Sequence, residues 1–394
     1  MNVCVTGLGV ISAIGTGVAE NWESLRLGRP GVGKICHFPT RLDVPAGEVK
    51  AGNAELKRLL KLPETAVVSR TALLALMAAR EAVADAGLTP DGSVAFISAT
   101  SVGGMDRSEV FYGQFREDNK AGDLADVRMH SCAASTEFVA RHLGVSRPPV
   151  TISTACSSAA NAIMLGARMI RQGLVRAAIV GGTDALCDFT LHGFNSLMIL
   201  DRCLTRPFDD TRAGLNLGEG AGYLVLERES DLRHEPYCVL SGYANVNEAY
   251  HQTGSSPEGD GALMAMEQAL RMAGVCPEDV GYVKTHGTGT PGNDLSESRA
   301  MLRLFGDRMP LFSSVKPFIG HTLGASAGIE SVYAALSLAR GCAFPNLNFT
   351  TPMAETGLSP VTEWTSVDGL RHVVVNAFGF GGNDSSLVFS RYKE

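Results

Sequence analysis

Cys156 stands in Thr154-Ala155-Cys156-Ser157-Ser158, between a short β-branched strand, Pro149-Val150-Thr151-Ile152, and a run from Ala159 to Ile170 that is small or apolar on every side. The run reads as a buried helix that stops at Gly173, with Arg168 and Arg171 in its last turn. A cysteine at the mouth of that helix sits among free N–H groups at the positive end of the helix dipole, a setting that favours thiolate over thiol. The competing reading is an inert buried cysteine. Two histidines bear on the choice. His286 ends the strand of Val283-Lys284-Thr285-His286-Gly287-Thr288-Gly289-Thr290-Pro291, and His321 follows the strand of Ser313-Ser314-Val315-Lys316-Pro317-Phe318-Ile319-Gly320. A lone histidine is more often a hydrogen-bonded core residue. Two in matching strand-to-turn contexts, with a cysteine in a third, are hard to explain as independent packing choices.

A fourth element, Asn376-Ala377-Phe378-Gly379-Phe380-Gly381-Gly382-Asn383-Asp384, reads as a flexible loop with exposed N–H groups after a strand His372 to Val375. Phosphate binding is disfavoured, because no Lys-Ser/Thr follows and a strand, not a helix, comes next. An oxyanion donor beside the cysteine is the better reading.

These motifs, with Val5-Thr6-Gly7-Leu8-Gly9-Val10, Arg206-Pro207-Phe208-Asp209 and Gly218-Glu219-Gly220-Ala221-Gly222, occur in the order found in one family. From end to end the chain resembles the β-ketoacyl-[acyl-carrier-protein] synthases, condensing enzymes with a Cys-His-His triad. The resemblance implies a thiolase-like α/β fold, two related α/β halves stacked as five layers, helix-sheet-helix-sheet-helix. The halves are placed at 1–235, which brings the nucleophile, and 236–394, which brings the histidines and the glycine loop. It implies decarboxylative condensation of an acyl group on Cys156 with malonyl-[acyl-carrier-protein], giving a 3-oxoacyl product and CO2 in fatty-acid, polyene or polyketide elongation. In that scheme His286 and His321 stabilise the enolate, and the backbone N–H groups of Cys156 and Phe380 form an oxyanion hole. Lys316 matches the active-site lysine, Glu330 its buried glutamate partner, and Phe380 the gating aromatic. Thr288 and Thr290 match the threonines that hold the phosphopantetheine arm, and Phe378 is grouped with them as a substrate contact. One departure is visible: the family commonly continues the loop with Thr-Asn, where this chain has Asn383-Asp384.

Composition agrees with this reading. The chain has 394 residues, 45% hydrophobic and 19% charged, with 44 glycines, as in a compact α/β protein. Nine cysteines without a Cys-x-x-Cys pair argue against a disulfide framework or a structural zinc. No leader and no apolar stretch near the ~20 residues of a membrane span are seen, so a cytoplasmic enzyme is expected. A net charge of −7 disfavours nucleic acid. The expected partners are an acyl carrier protein and a second subunit, as a homodimer or a heterodimer with a relative. No resident cofactor and no metal are expected, since substrates arrive on the carrier's phosphopantetheine. An acidic carrier needs a local basic patch, and Lys57-Arg58-Leu59-Leu60-Lys61 is the candidate, with Lys57 and Lys61 on one helix face. Three other readings compete. A non-catalytic, chain-length-determining partner subunit lacks the cysteine. A metal-dependent hydrolase using Cys156, His286 and His321 as ligands lacks a short-spaced ligand pair. A thiolase needs a second catalytic cysteine, which is missing from the glycine loop.

Strands are expected at Val3-Val5, Val94-Ser98, Val150-Ser153, Ala178-Val180, Tyr223-Glu227, Cys238-Leu240, Tyr282-Lys284, Leu311-Ser314, His372-Val375 and Leu387-Phe389. Helices are expected at Arg70-Ala86, Ala159-Gln172, Gly261-Ala273, Glu297-Leu304 and Thr322-Ala339.

Overall fold

In the computed structural model, which describes residues 2–393, the apolar runs form strands that are buried along most of their length, as strands covered on both faces must be. In the first half they are β1 (Val3–Ser12), β2 (Val94–Ala99), β3 (Val150–Ile152), β4 (Ala177–Asp184) and β5 (Gly220–Arg228). The second half has β6 (Cys238–Asn247), β7 (Tyr282–Lys284), β8 (Leu311–Ser313), β9 (His372–Gly379) and β10 (Asn383–Ser390). Their spatial order is β8-β7-β9-β10-β6-β1-β5-β4-β2-β3. Read outward from the middle, each half repeats one pattern: two antiparallel pairings, then two parallel ones. Within the sheet, the two halves pair through β1 and β6, where Cys4 lies opposite Val239 and Val5 opposite Cys238.

Five helices set the layers: α1 (Arg70–Asp85), α2 (Ser158–Arg171), α3 (Asp260–Ala273), α4 (Pro291–Phe305) and α5 (Ser326–Arg340). α1 covers the outer face of the first half, while α3 and α4 cover that of the second. α2 and α5 lie between the two sheet halves, in the largest apolar cluster. Small residues let them sit there: a Cβ on Gly222 of β5 would collide with the α5 backbone at Gly328 and Ile329. Every residue from Ser326 to Leu338 is buried, which explains the absence of a polar face.

The structure differs from expectation in several places. β9 continues through Asn376 to Gly379, because those residues pair in register with Asn383 to Ser386. The glycine loop is therefore only Phe380 to Gly382, with Gly381 and Gly382 at φ +85° and +72°. Lys316 does not end a strand; it begins a helical turn, Lys316–Ile319. The basic segment is helical only over Asn53–Leu59, and Lys61 has φ +56°, so Lys57 and Lys61 do not share a helix face. Helices Met105–Glu117 and Cys132–Leu143 were not foreseen. Among the described residues no helix is long and apolar enough to cross a membrane.

Candidate active site

Cys156 lies in the turn between β3 and α2, 5% exposed, with Ala155 before it held at φ +52°. The turn is tied down by Ser158, whose hydroxyl donates to the Ala155 carbonyl and accepts from the Thr154 N–H. Burial pushes the thiol up to about 11, against the charge of Lys316 and the backbone N–H groups of Phe380 and Cys156, which pull it down. The expected thiolate is thus corrected: without substrate, desolvation outweighs the helix terminus, and the group is a thiol.

His286 and His321 follow β7 and β8, both buried, with ring centroids 5.3 Å apart and planes at 87°. Their side-chain nitrogens and the Cys156 Sγ offer one atom each within 4.8 Å of one another. His321 Nδ1 accepts the Leu323 N–H at 3.0 Å. A backbone amide can only donate, so the proton of this imidazole sits on Nε2. His286 Nδ1 faces the Lys316 ammonium at 3.4 Å, another group that can only donate, which gives the same tautomer. Burial first, then the Lys316 charge, hold both imidazoles well below the usual histidine range. The site thus presents two neutral Nε2–H donors. That arrangement disfavours a metal here, since both Nδ1 atoms are already engaged by donors and both Nε2 atoms carry the proton.

Lys316 and Glu330 form an ion pair at 2.9 Å, each 1% exposed, and Lys316 also donates to the His286 carbonyl. A second buried lysine, Lys284 at the end of β7, donates to the Ser313 carbonyl at 3.3 Å. Burial pulls Lys284 down to about 7, with Glu330 opposing and Lys316 adding to the effect. Glu297 of α4 fixes the His286 turn, accepting from the N–H of His286 (2.9 Å) and of Gly287 (2.8 Å). Asp184 at the end of β4 accepts the N–H of Ser101, Val102 and Gly324, and so locks the turn after His321 to the first half.

A pocket opens onto Cys156, His286 and His321, walled by Phe378, Phe380, Phe194, Thr288 and Thr290. Thr288 and Thr290 share a 2.8 Å hydroxyl contact, and Asp294 accepts the Thr288 N–H at 3.0 Å. The Phe378 ring lies 5.8 Å from His286, and Phe380 stacks on Phe194 at 6.0 Å. Asn383 ties the glycine loop to the nucleophile turn, its side-chain Oδ1 accepting from Ser157 (2.8 Å) and Asn161 (3.2 Å).

The structure therefore gathers Cys156, His286, His321, Lys316, Glu330, Phe378, Phe380, Thr288 and Thr290 around one pocket and its floor. Sequence reasoning did not single out Lys284, Glu297 or Asp184 as parts of the site, and it marked Asn383 only as a departure within the glycine-loop motif. Lys284 was in a quoted motif, yet a lone lysine on a three-residue strand carries no signal of burial.

The family model "Beta-ketoacyl synthase, N-terminal domain" matches residues 1–232, and "Beta-ketoacyl synthase, C-terminal domain" matches residues 237–350. The chain is 33% identical to the 3-oxoacyl-[acyl-carrier-protein] synthase 2 of Staphylococcus aureus (strain MRSA252), an alignment covering 100% of this chain and 99% of the relative. Among solved structures it resembles the ishigamide ketosynthase/chain length factor, with a TM-score of 0.93, 32% identity, and 100% and 99% of the two chains covered. It also resembles the AntDE:AntF structure, a type II PKS acyl-carrier protein in complex with its ketosynthase bound to the hexaketide. There the TM-score is 0.89, with 27% identity and 99% of each chain covered.

Proposed function

The chain belongs to the β-ketoacyl synthase family of condensing enzymes, and from that premise we propose that it joins an acyl group carried on Cys156 to a malonyl unit on an acyl carrier protein. Cys156 attacks the thioester of the incoming acyl carrier. The acyl group moves to sulfur, and the thiol proton leaves on the released pantetheine sulfur, so no net base is needed. The N–H groups of Cys156 and Phe380 take up the charge on the tetrahedral oxygen. The malonyl thioester then loses CO2, and its enolate oxygen is held by the Nε2–H groups of His286 and His321. The enolate carbon attacks the acyl-cysteine, releasing the 3-oxoacyl product. Cys156 returns to the thiol by taking a proton.

One observation carries this reading: two neutral imidazoles, each with Nδ1 occupied by a donor, converge within 4.8 Å of one thiol. A pair of N–H donors suits an enolate that has no metal to neutralise it, and each is worth about 2.7–4 kcal/mol by comparison with oxyanion-hole donors. Lys316 and Glu330 orient His286, while Thr288, Thr290 and Phe378 line the path of the phosphopantetheine arm. No resident cofactor is needed, because the substrates bring their own thioester. The intact Cys156–His286–His321 set counts against a non-catalytic, chain-length-determining subunit.

The proposal extends to organisation. Residues 1–235 and 236–394 form the two halves, a division supported by the repeated strand pattern. The acyl carrier protein is the substrate partner and docks near Lys57 and Arg58. A second subunit, identical or related, completes the particle. All nine cysteines are free thiols, in keeping with a reducing, cytoplasmic setting. Mass spectrometry of the protein after incubation with a panel of acyl carrier thioesters tests the reading. An acyl adduct at Cys156 supports it, and a protein that stays unmodified across the panel refutes it.

A further inference from the structure

Successive strand residues face opposite ways, so the two residues where the chain departs from its family do different work. Asn383 turns to the nucleophile helix. Asp384, 3% exposed, turns to the other face, toward α3 and the end of β6. A Cβ placed on Gly261, the second residue of α3, would collide with Asp384 Oδ2 and with Glu248 Oε2, the latter at 2.9 Å, so both carboxylates flank this glycine. Glu297 of α4 is a third carboxyl facing Asp384, itself pushed up to about 7 by burial, while Asp260 and Glu258 nearby are paired with Arg303 and Arg299. Among the described residues no hydrogen bond to the Asp384 carboxylate is formed. Glu248, by contrast, accepts the Ser256 N–H with both oxygens, at 3.1 and 3.2 Å.

This acid pair sits beneath the glycine loop. The segment from Asn247 to Ser256 straps that loop from outside with three bonds. The Gly381 N–H donates to the Gln252 carbonyl (2.7 Å), the Asn247 amide to the Gly381 carbonyl (2.9 Å), and the Glu248 N–H to the Gly382 carbonyl (3.0 Å). The same loop presents the Phe380 N–H to Cys156. Two ionised carboxylates at this joint would repel each other with no donor to settle Asp384.

We propose that Asp384 is a positioning residue whose carboxyl keeps its proton beside Glu248, and that this proton keeps the strap seated on the loop so that Phe380 stays in place. Loss of the proton to solvent in mild alkali lifts the strap and withdraws the Phe380 donor. Burial, followed by the charges of Glu248 and Glu297, pushes Asp384 up to about 8, which places the change just above neutrality. The catalytic arm of this inference rests on the role proposed for Cys156; the structural arm does not.

The test is amide hydrogen exchange on the full chain from pH 6.5 to 9.5, with the intrinsic base-catalysed rate divided out. In the wild type, protection of peptides covering 247–256 and 378–384 should fall about tenfold per pH unit above the midpoint, as loss of a single linked proton requires. Asp384→Asn, which keeps a donor and cannot ionise, and Glu248→Gln, which supplies a donor to an ionised Asp384, should both give flat profiles. Stopped-time acylation of Cys156 by an acyl carrier thioester should follow: the ratio of wild-type to Asp384→Asn rate should decline over the same range. If both variants track the wild-type profile, the proton is elsewhere and the proposal fails. It fails also if Asp384→Asn is folded but unprotected at every pH, since Asp384 would then be needed as an ionised acceptor. If Asp384→Asn does not fold, Glu248→Gln decides alone. A flat exchange profile with a pH-dependent acylation rate would refute the strap while leaving Cys156 as nucleophile.

Discussion

Replacing Lys284 by methionine should make the protein more stable, and only at low or neutral pH. The side chain is wholly buried, and burial lowers its ammonium from an ordinary 10.5 to about 7. Below 7 the lysine is charged in both the folded and unfolded states, and that drop corresponds to a cost of roughly 5 kcal/mol in the fold. Between about 7 and 10.5 the folded group gives up its proton while the unfolded one keeps it, so the cost shrinks as pH rises. Methionine matches the lysine stem in length and carries no charge. The lost bond to the Ser313 carbonyl offsets about 1 kcal/mol, and no more, because that oxygen still accepts the Thr285 N–H at 3.1 Å. Glu330 keeps Lys316. The net gain is about 3–4 kcal/mol at pH 6.5 and under about 1 kcal/mol at pH 9.5. An unfolding entropy of about 2.1 cal/mol/K per residue makes each kcal/mol worth about 1 °C in a chain of this size. Thermal unfolding should therefore show Lys284→Met melting about 4 °C above wild type at pH 6.5, and within about 1 °C at pH 9.5. A lower melting temperature at pH 6.5, or an equal offset at both pH values, would show that Lys284 is not a strained ammonium.

Four further outcomes follow from the site. Cys156→Ala should lose condensation and still decarboxylate malonyl carrier thioester, read as CO2 release, because both imidazoles remain; full condensing activity in this variant would remove Cys156 from its role. His286→Ala and His321→Ala should each slow decarboxylation by about a hundredfold or more while Cys156 still becomes acylated; parallel losses in both half-reactions would point to a general base instead. Burial and Lys316 hold both histidines well below the usual range, so decarboxylation should stay constant from pH 7.5 down to about 5.5, whereas an ordinary imidazole would be losing its neutral form near 6.5. Lys57→Glu with Arg58→Glu should raise KM for carrier-bound substrates and leave a pantetheine thioester unaffected; equal losses on both would mean a damaged fold.

The sequence was most informative where chemistry and backbone coincide. Cys156, His286 and His321 each sit where a strand runs into a turn, and that context is local, so the pattern shows without coordinates. Lys316, Glu330 and the threonines were placed by resemblance, and the structure supplies the contacts. Quantities that depend on distant parts of the chain were invisible. Whether Cys156 is a thiol or a thiolate turns on the layers that bury it, not on its helix. Lys284 looks like any surface lysine until β7 is flanked by β9 and β8. The length of β9 depended on pairing with β10, since glycines on either side of Phe380 suggested a long loose loop where a tight one exists. Helix Met105–Glu117 buries no residue, and beyond Met105 its large apolar side chains, Val110, Phe111, Tyr112 and Phe115, are bunched in one stretch instead of recurring along the whole segment.

Because each half of the sheet repeats one strand pattern, Cys156 and His321 occupy equivalent addresses: both lie where the outermost strand, β3 or β8, turns into a central helix, α2 or α5. A scaffold built twice begins with a tie between its two turns, and this chain has broken it, placing a thiol at one and an imidazole at the other. The break is carried by side chains rather than by the frame that bears them. Chemistry and architecture are thereby separable: one substitution at 156 would remove the thiol and leave the layers, the pocket and the two imidazoles in place.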